Sequence, residues 1–429
     1  MKRFRIRRPK GLQGWLLVLF AIAIGIYAGL YCTAWFMQFQ VQDSLSEHDE
    51  EAASRWMARA HWVPMRRART CFLEARMARH RGEHAGMEQQ LQQAGALGYD
   101  PELLLREQWL ARAEMGDMDV LTNQMALLLT DSRGDEVQIV LSYVKGLVRN
   151  ERYDAARQML DAWIKDYPDD PYPMQMLGSV LLEMDRLDEA EGIFRQILRR
   201  DPGNGQAAFG LGTILLTLQK TSRALTYLEV AARDEVLHDE AMISQARCHR
   251  AMDNPERARQ ILEKLALQSA DPTVIVELAQ LNLDQGNFQA AAARVKSLVE
   301  ENPNEVDARY IYAQALRQLD RKGEAEGHFA AVMEINRHLA LANKLAEQIG
   351  DGPASLEERI EVARIQMQYG SEQEGLRWLV GAFRIENSHR PTLEALYKYY
   401  AGKADDDPGE RDFQLRRDEF QQRLKQLAP

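Results

Sequence analysis

The chain has 429 residues, 45% of them hydrophobic and 28% charged, a balance that excludes wholesale disorder. The formal net charge is −10, yet residues 1–10 alone carry six basic side chains (Lys2, Arg3, Arg5, Arg7, Arg8 and Lys10), so the remainder holds −16. An acidic body argues against nucleic acid as the main partner, and three cysteines (Cys32, Cys71, Cys248) exclude a disulfide framework or a Cys-rich metal site.

The first predicted element is a membrane span. From Gly11 to Gln42 no side chain is charged, and Trp15–Met37 is almost wholly apolar. Its 23 residues, at about 1.5 Å each, reach roughly 34 Å, enough for a hydrocarbon core of about 30 Å. Trp15 stands at one end and Tyr31, Trp35 and Phe36 at the other, where interfacial aromatics belong. A cleaved signal peptide would have a shorter apolar run and a small-residue cleavage site, so the reading is an uncleaved anchor over 14–37 behind a basic tail over 1–13. Basic flanks stay cytoplasmic. The body is therefore expected outside the cytoplasm, which in a bacterium is the periplasmic side of the inner membrane.

Beyond Asp43 the pattern is helical throughout, and it repeats. The alanines that follow a short charged turn fall at Ala156, Ala190, Ala224, Ala258, Ala291 and Ala325, every 33 or 34 residues. Four residues after each stands a large apolar side chain (Leu160, Phe194, Leu228, Leu262, Val295, Phe329). Twelve before each stands a compact one (Val144, Gly178, Gly212, Ala246, Ala279, Ala313). Small residues let two antiparallel helices cross closely, as Gly178 opposite Ala190 would, and the large residue fills the same helix face one turn later. Pro168, Pro202 and Pro303 close one unit and open the next. An exposed turn residue such as Asp185 is expected to tolerate substitution.

A 34-residue helix–turn–helix unit resembles the tetratricopeptide repeat. Residues 171–204 carry the family's Leu-Gly pair (Leu177, Gly178), its Ala (Ala190), its Phe (Phe194) and its terminal Pro (Pro202), with Met174 in place of the early Trp and Leu181 in place of the Tyr. The likeness is to bacterial inner-membrane-anchored members of the family. It implies an all-α fold: a helix–turn–helix solenoid, right-handed in its superhelix, preceded by one transmembrane helix. The expected layout is an entry helix and half repeat over 43–67, about nine units over 68–389 with an insert at 340–355, and a degenerate repeat and capping helix over 390–429. Ala52, Trp56 and Pro64 have the spacing of a repeat's second helix, so the span is expected to lead almost directly into the solenoid.

Chemistry is sparse in this sequence. His80 and His84 are four apart, a spacing that can bind zinc, but Gly82 between them marks a turn, so they read as solvated turn histidines. His249 reads as a partly buried packing residue and Cys248 as an inert thiol. With no nucleotide, hydrolase or Cys-x-x-Cys motif, neither an active site nor a cofactor nor a metal is expected.

Surface remains. In the family, the first helix of each unit lines a concave groove, and its second, fifth, ninth and twelfth positions face inward. By that resemblance the lining here includes Lys145, Phe209, Arg247, Arg250, Gln280, Tyr310, Gln314, Arg317 and Arg364. The lysine–asparagine clamp of chaperone-binding members is not reproduced. Arg247, Arg250, Gln280, Tyr310, Gln314, Arg317 and Arg364 form the candidate site, and a protein or peptide partner with an acidic segment is the expected ligand. The alternative is that these arginines pair internally with residues such as Asp284 and Glu240. The expected function is a membrane-tethered scaffold, or an accessory or assembly factor for an envelope enzyme or secretion complex without catalysis of its own.

Overall fold

The computed structural model describes residues 12–46, 49–63, 65–117, 120–150, 152–268, 271–351, 355–407 and 411–427, and among these there is no strand. The chain divides after Arg149 into two compact units. The basic tail over 1–11 and Pro64 lie outside the described residues.

The first unit begins with α1 (Leu12–Ser46), followed by α2 (Glu50–Ala60), α3 (Arg67–His80), α4 (His84–Ala96) and α5 (Pro101–Glu114). A π-helical turn, Val120–Gln124, then runs into α6 (Met125–Thr130), and α7 (Glu136–Arg149) completes the unit. The 35-residue α1 has two environments. Every side chain over 19–33 is exposed, whereas Ala34 is buried, and Val41 and Leu45 are buried in a cluster with Ala53, Met57, Ala60, Leu73 and Met77. The last third of the apolar helix thus serves as the first helix of the first hairpin, and α2 is its second. The Asp49 side chain caps α2 by accepting from the Ala52 amide at 2.8 Å. The core positions of α2 are Ala53 and Met57, one residue later than the spacing of Ala52 and Trp56 suggests.

The second unit comprises α8 (Tyr153–Asp166), α9 (Tyr172–Glu183), α10 (Leu187–Arg200), α11 (Gly205–Thr217), α12 (Thr221–Ala231), α13 (His238–Ala251) and α14 (Pro255–Ala266). It continues with α15 (Pro272–Asp284), α16 (Phe288–Glu301), α17 (Val306–Gln318), α18 (Lys322–Asp351) and α19 (Leu356–Tyr369). The last three helices are α20 (Glu372–Ile385), α21 (Arg390–Asp406) and α22 (Arg411–Gln426). Its helix starts carry their signals: Asn254 and Asp271 cap α14 and α15 ahead of a proline, and Ser355 forms a capping box with Glu358 at α19.

The repeat register holds in the packing. All six repeat alanines are buried, as are Leu160, Phe194, Leu228, Leu262 and Val295. The compact position makes room for the large one. A Cβ on Gly178 would lie 2.5 Å from the Phe194 ring, and a Cβ on Gly210 would meet the ring's other side at the same distance. The ring sits between two glycines, so at this unit it is Phe194, and not Ala190, that requires the bare backbone. A second periodic feature is the turn within each pair. Asp185, Gln219, Asp253 and Asp320 adopt positive φ (54 to 60°), and Gly82, Gly116 and Gly286 hold the corresponding turns with φ of 73 to 79°. Side-chain-bearing residues in this left-handed region cost about 1–2 kcal/mol, with Asp among the best tolerated. Asp185 is therefore not a neutral position, because a branched or bulky replacement would be strained there.

Residues 340–351, where the 34-residue period fails, continue α18 as a helix of 30 residues. At the far end α22 covers the last core cluster: Phe420 is buried against Phe383 and stacks on Tyr400 with ring centroids 5.7 Å apart.

Candidate functional site

In the second unit the first helices α13, α15 and α17 carry the polar stripe that the family resemblance marks as groove lining. Residues three and four apart share a helix face, which aligns Arg247 with Arg250, Glu277 with Gln280 and Asp284, and Tyr310 with Gln314 and Arg317. The structure gathers these residues into two groups. Around Glu277, Arg247 Nε donates to Oε1 at 2.7 Å and Arg250 Nη2 approaches Oε2 at 3.7 Å. Arg250 Nη1 also reaches Asp284 Oδ2 at 3.5 Å, and Gln280 Nε2 donates to Asp284 Oδ1 at 2.7 Å. Two guanidinium and two carboxylate groups balance here. Arg250 pairs with Asp284 as the internal alternative holds, but Glu277, absent from the expected residues, takes the larger share. It lies seven residues before Asp284 on the same stripe, and that spacing was the available signal.

The second group surrounds Phe329. Tyr310 meets its ring edge-on at 5.7 Å, and the Arg317 guanidinium stacks over it at 5.3 Å. Tyr310 is 46% exposed, Arg317 is exposed and Gln314 is half-buried. No ion pair engages Arg317 among the described residues, so its edge is available to an anionic group. Arg364 does not join either group through its hydrogen bonds, which stay on α19 with Glu361 and Gln368. Phe209 is half-buried against Ala208, Ala231 and Ala241.

The first unit is different, and sequence reading missed its main feature. Arg76 and Arg79 of α3 are buried, Arg79 with no exposed side-chain surface. Arg76 Nε donates to Glu107 Oε2 at 3.1 Å, and its two terminal nitrogens grip Asp135 at 2.9 Å each. Arg79 Nε donates to the other Glu107 oxygen at 2.5 Å, and its remaining donors reach Glu114, Ser142 and Gln138. Gln138 in turn donates to the Leu45 carbonyl at 3.3 Å, tying α7 to the end of α1. Lys145, expected as groove lining, stands 3.9 Å from Glu114 at the edge of this network. The two guanidinium groups hold the Glu107 carboxyl down at about 2 against the opposing pull of burial. His80 is no solvated turn residue. It ends α3 half-buried, 2.7 Å from Gln138 Oε1, and burial with Arg79 beside it presses its pKa down to about 3, so it is neutral. The His84 side chain lies outside the described residues.

His249 is half-buried, with its pKa lowered by burial, and Cys248 is buried with its thiol pushed up to about 11. Such a thiol is a poor nucleophile.

The sequence profile of the tetratricopeptide repeat matches residues 175–235 and 276–337, and a second profile of the same repeat matches 240–271. The chain carries tetratricopeptide repeats. Two proteins of Komagataeibacter xylinus resemble about half of it. Cellulose synthase 2 operon protein C is 27% identical over 228 residues, covering 52% of this chain and 17% of the relative. Cellulose synthase 1 operon protein C is 24% identical over 238 residues, covering 51% and 17%. The chain thus spans only 17% of the length of these curated relatives. Among solved structures, a tetratricopeptide repeat protein from Parabacteroides merdae aligns at a TM-score of 0.39 with 16% identity, covering 59% of this chain and 95% of its own. Solenoids of stacked repeats form extended concave surfaces. In the second unit the first helices α13, α15 and α17 carry the Glu277 cluster and the exposed Tyr310–Arg317 stripe.

Proposed function

We propose that this tetratricopeptide repeat protein is a membrane-tethered scaffold of the bacterial cell envelope. It holds a protein or peptide segment on the stripe formed by α13, α15 and α17. The observation that carries the reading is the Tyr310–Gln314–Arg317 face: an exposed tyrosine and a stacked arginine on one rigid helix are the usual anchors of binding hot spots. Arg317 supplies the contact to an acidic side chain of the ligand. Arg247 and Arg250, already balanced by Glu277 and Asp284, shape and polarise the neighbouring surface. Arg364 extends the same stripe on α19. Apolar helix α1 is the tether, its basic tail is cytoplasmic, and the repeats lie on the extracytoplasmic side.

A second reading is favoured by the two relatives from cellulose synthase operons. The partner is then an envelope enzyme or biogenesis complex, and this chain is its accessory or assembly factor, without catalysis of its own.

Co-purification from gently solubilised membranes tests both. The Tyr310→Ala/Arg317→Glu variant is expected to lose the captured partner while keeping far-UV circular dichroism and melting temperature near those of the parent. Retention of the partner by this folded variant would sink the α17 stripe as the site. Mass spectrometry of what the parent retains decides between a general scaffold and an enzyme accessory. A reporter fused to the C-terminus is expected to be active as a periplasmic enzyme and silent as a cytoplasmic one, and the reverse pattern overturns the orientation.

A further inference from the structure

The turn between α2 and α3 sits at one level along α1, and that level is fixed by side chains. The Arg66 guanidinium stacks over the Tyr31 ring at 5.4 Å. Gln38 Nε2 donates to the Arg66 carbonyl at 3.3 Å and to Thr70 Oγ1 at 3.0 Å, while Trp56 meets Phe36 edge-on at 5.9 Å. Because α2 runs back along α1, the turn it leads into returns to the Tyr31–Phe36 level. A hydrocarbon core of about 30 Å takes about twenty helical residues. In the 14–37 span the aromatic residues Tyr31, Trp35 and Phe36 mark the far interface, which is this level.

At this level the protein presents an unusual combination. Trp62, at the tip of the turn, is 88% exposed. Eight arginines lie between residues 55 and 81. Five of them engage polar partners: Arg55 with Glu51, Arg69 with Gln42, Arg81 with Ser54, and Arg76 and Arg79 within the buried network. The three without a carboxylate or amide partner among the described residues, Arg59, Arg66 and Arg67, are those beside the turn. Arg59 and Arg66 rest on aromatic rings; Arg66 is half-buried with its Nη1 buried and lacking a hydrogen-bond partner, while Arg59 and Arg67 are exposed. Glu74, which could offset them, is taken by His61 at 2.6 Å. Tryptophan prefers the membrane interface, and unpaired arginines there are complementary to phosphate.

We infer that the α2–α3 turn is a second membrane contact, in which Trp62 enters the interface and Arg59, Arg66 and Arg67 bind anionic phospholipid headgroups. The inference rests on α1 being the tether. Combined with the packing of Val41 and Leu45, two points of attachment would fix the first unit against the bilayer where a single helix would let it swivel.

The test uses the full chain in nanodiscs containing phosphatidylglycerol, with Cys32 and Cys71 changed to Ser. A fluorophore is placed at Val63→Cys, at Tyr27→Cys within the span, or at Val236→Cys, which is 88% exposed in the second unit. Nitroxide lipids quench either at the headgroup or in the acyl chain. The label at 27 is expected to be quenched from the acyl chain, the label at 63 from the headgroup, and the label at 236 from neither. Each arginine reversed to Glu changes the charge by two and is expected to weaken the preference of the turn for anionic lipid by more than about fivefold. The triple variant, or a pure phosphatidylcholine disc, then brings site 63 down to the level of site 236 while site 27 stays quenched. If site 63 behaves like site 236 in the parent while site 27 is quenched, the turn is not at the bilayer and only the tether stands. Headgroup quenching at 63 that ignores both lipid charge and the arginine reversals overturns the phosphate contact. An unquenched site 27 overturns tether and turn together.

Discussion

Arg79 shows what a single residue can decide in this protein. Its side chain is wholly buried, and four of its five N–H donors are taken by Glu107, Glu114, Ser142 and Gln138. Removing one partner of such a network leaves uncompensated charge in the interior, at a cost of about 3–5 kcal/mol. Arg79→Met is therefore expected to destabilise the first unit by that amount in a urea titration. Arg81→Met, two residues on and exposed, is expected to change it by less than about 0.5 kcal/mol. Equal effects would mean that the buried network is not structural. The same residues mark where sequence reading stops. Periodicity reports which positions are apolar, and an arginine at a core position breaks the stripe without announcing its partner. The partners of Arg76 and Arg79 lie on α5, on α7 and at Asp135 just before it, about 30 to 60 positions away, and no local spacing links them. The groove arginines were legible as a stripe on successive first helices. The spacing of Glu277 and Asp284 on one stripe was legible too, but which arginine each neutralises was not, because that depends on the register between α13 and α15 and not on either helix alone.

At the scale of the helix pair the sequence is far more explicit. A 34-residue period, a buried alanine and a large residue one turn later are local facts, and the packing of α8 to α17 follows them. What remained hidden is which side chain each glycine accommodates. In a helix interior, Gly178→Ala would gain about 1 kcal/mol from propensity alone. Its Cβ, however, would enter the Phe194 ring, and overpacking costs about 1–3 kcal/mol. A net loss is expected on thermal melting. In a Phe194→Leu background, which removes the clashing ring atoms, the same change is expected to become neutral or stabilising. A loss that persists unchanged in that background would show the helix backbones, and not the ring, to be the obstacle. The apolar helix α1 was legible as a candidate span from length and composition, but its packing against α2 and α3 was not. Ala34 is buried in a run where almost every residue is apolar, and Val41 and Leu45 are buried in a stretch where Gln40, Gln42, Asp43 and Ser44 flank them, so apolarity alone does not mark the packed positions.

Over the whole molecule the two units differ in what stabilises them, and acid is expected to separate them. The second unit rests on a periodic core that is apolar apart from Tyr312, and its histidines His249 and His328 are only half-buried, whereas the first encloses His80 and the fully paired Glu107. The His80 pKa falls from an ordinary 6.5 to about 3 in the folded state. The unfolded chain therefore binds the proton first, and stability is lost as pH drops from about 6.5 toward 3. Glu107 has its folded pKa depressed to about 2 from an ordinary 4.5. Its contribution is complete above 4.5 and is lost as pH falls from there to 2. Both groups act in the same direction, with histidine leading. Hydrogen exchange followed by mass spectrometry is expected to show α3, α5 and α7 losing protection between pH 6 and 4, at values where peptides from α13 to α17 still retain theirs. His80→Gln keeps a side chain that can hydrogen-bond Gln138 but removes the titration. It is expected to delay the loss in the first unit until the pH falls below about 4.5, where Glu107 begins to act. Simultaneous loss in both units, or a His80→Gln profile that overlays the parent, would place the acid sensitivity outside the buried network.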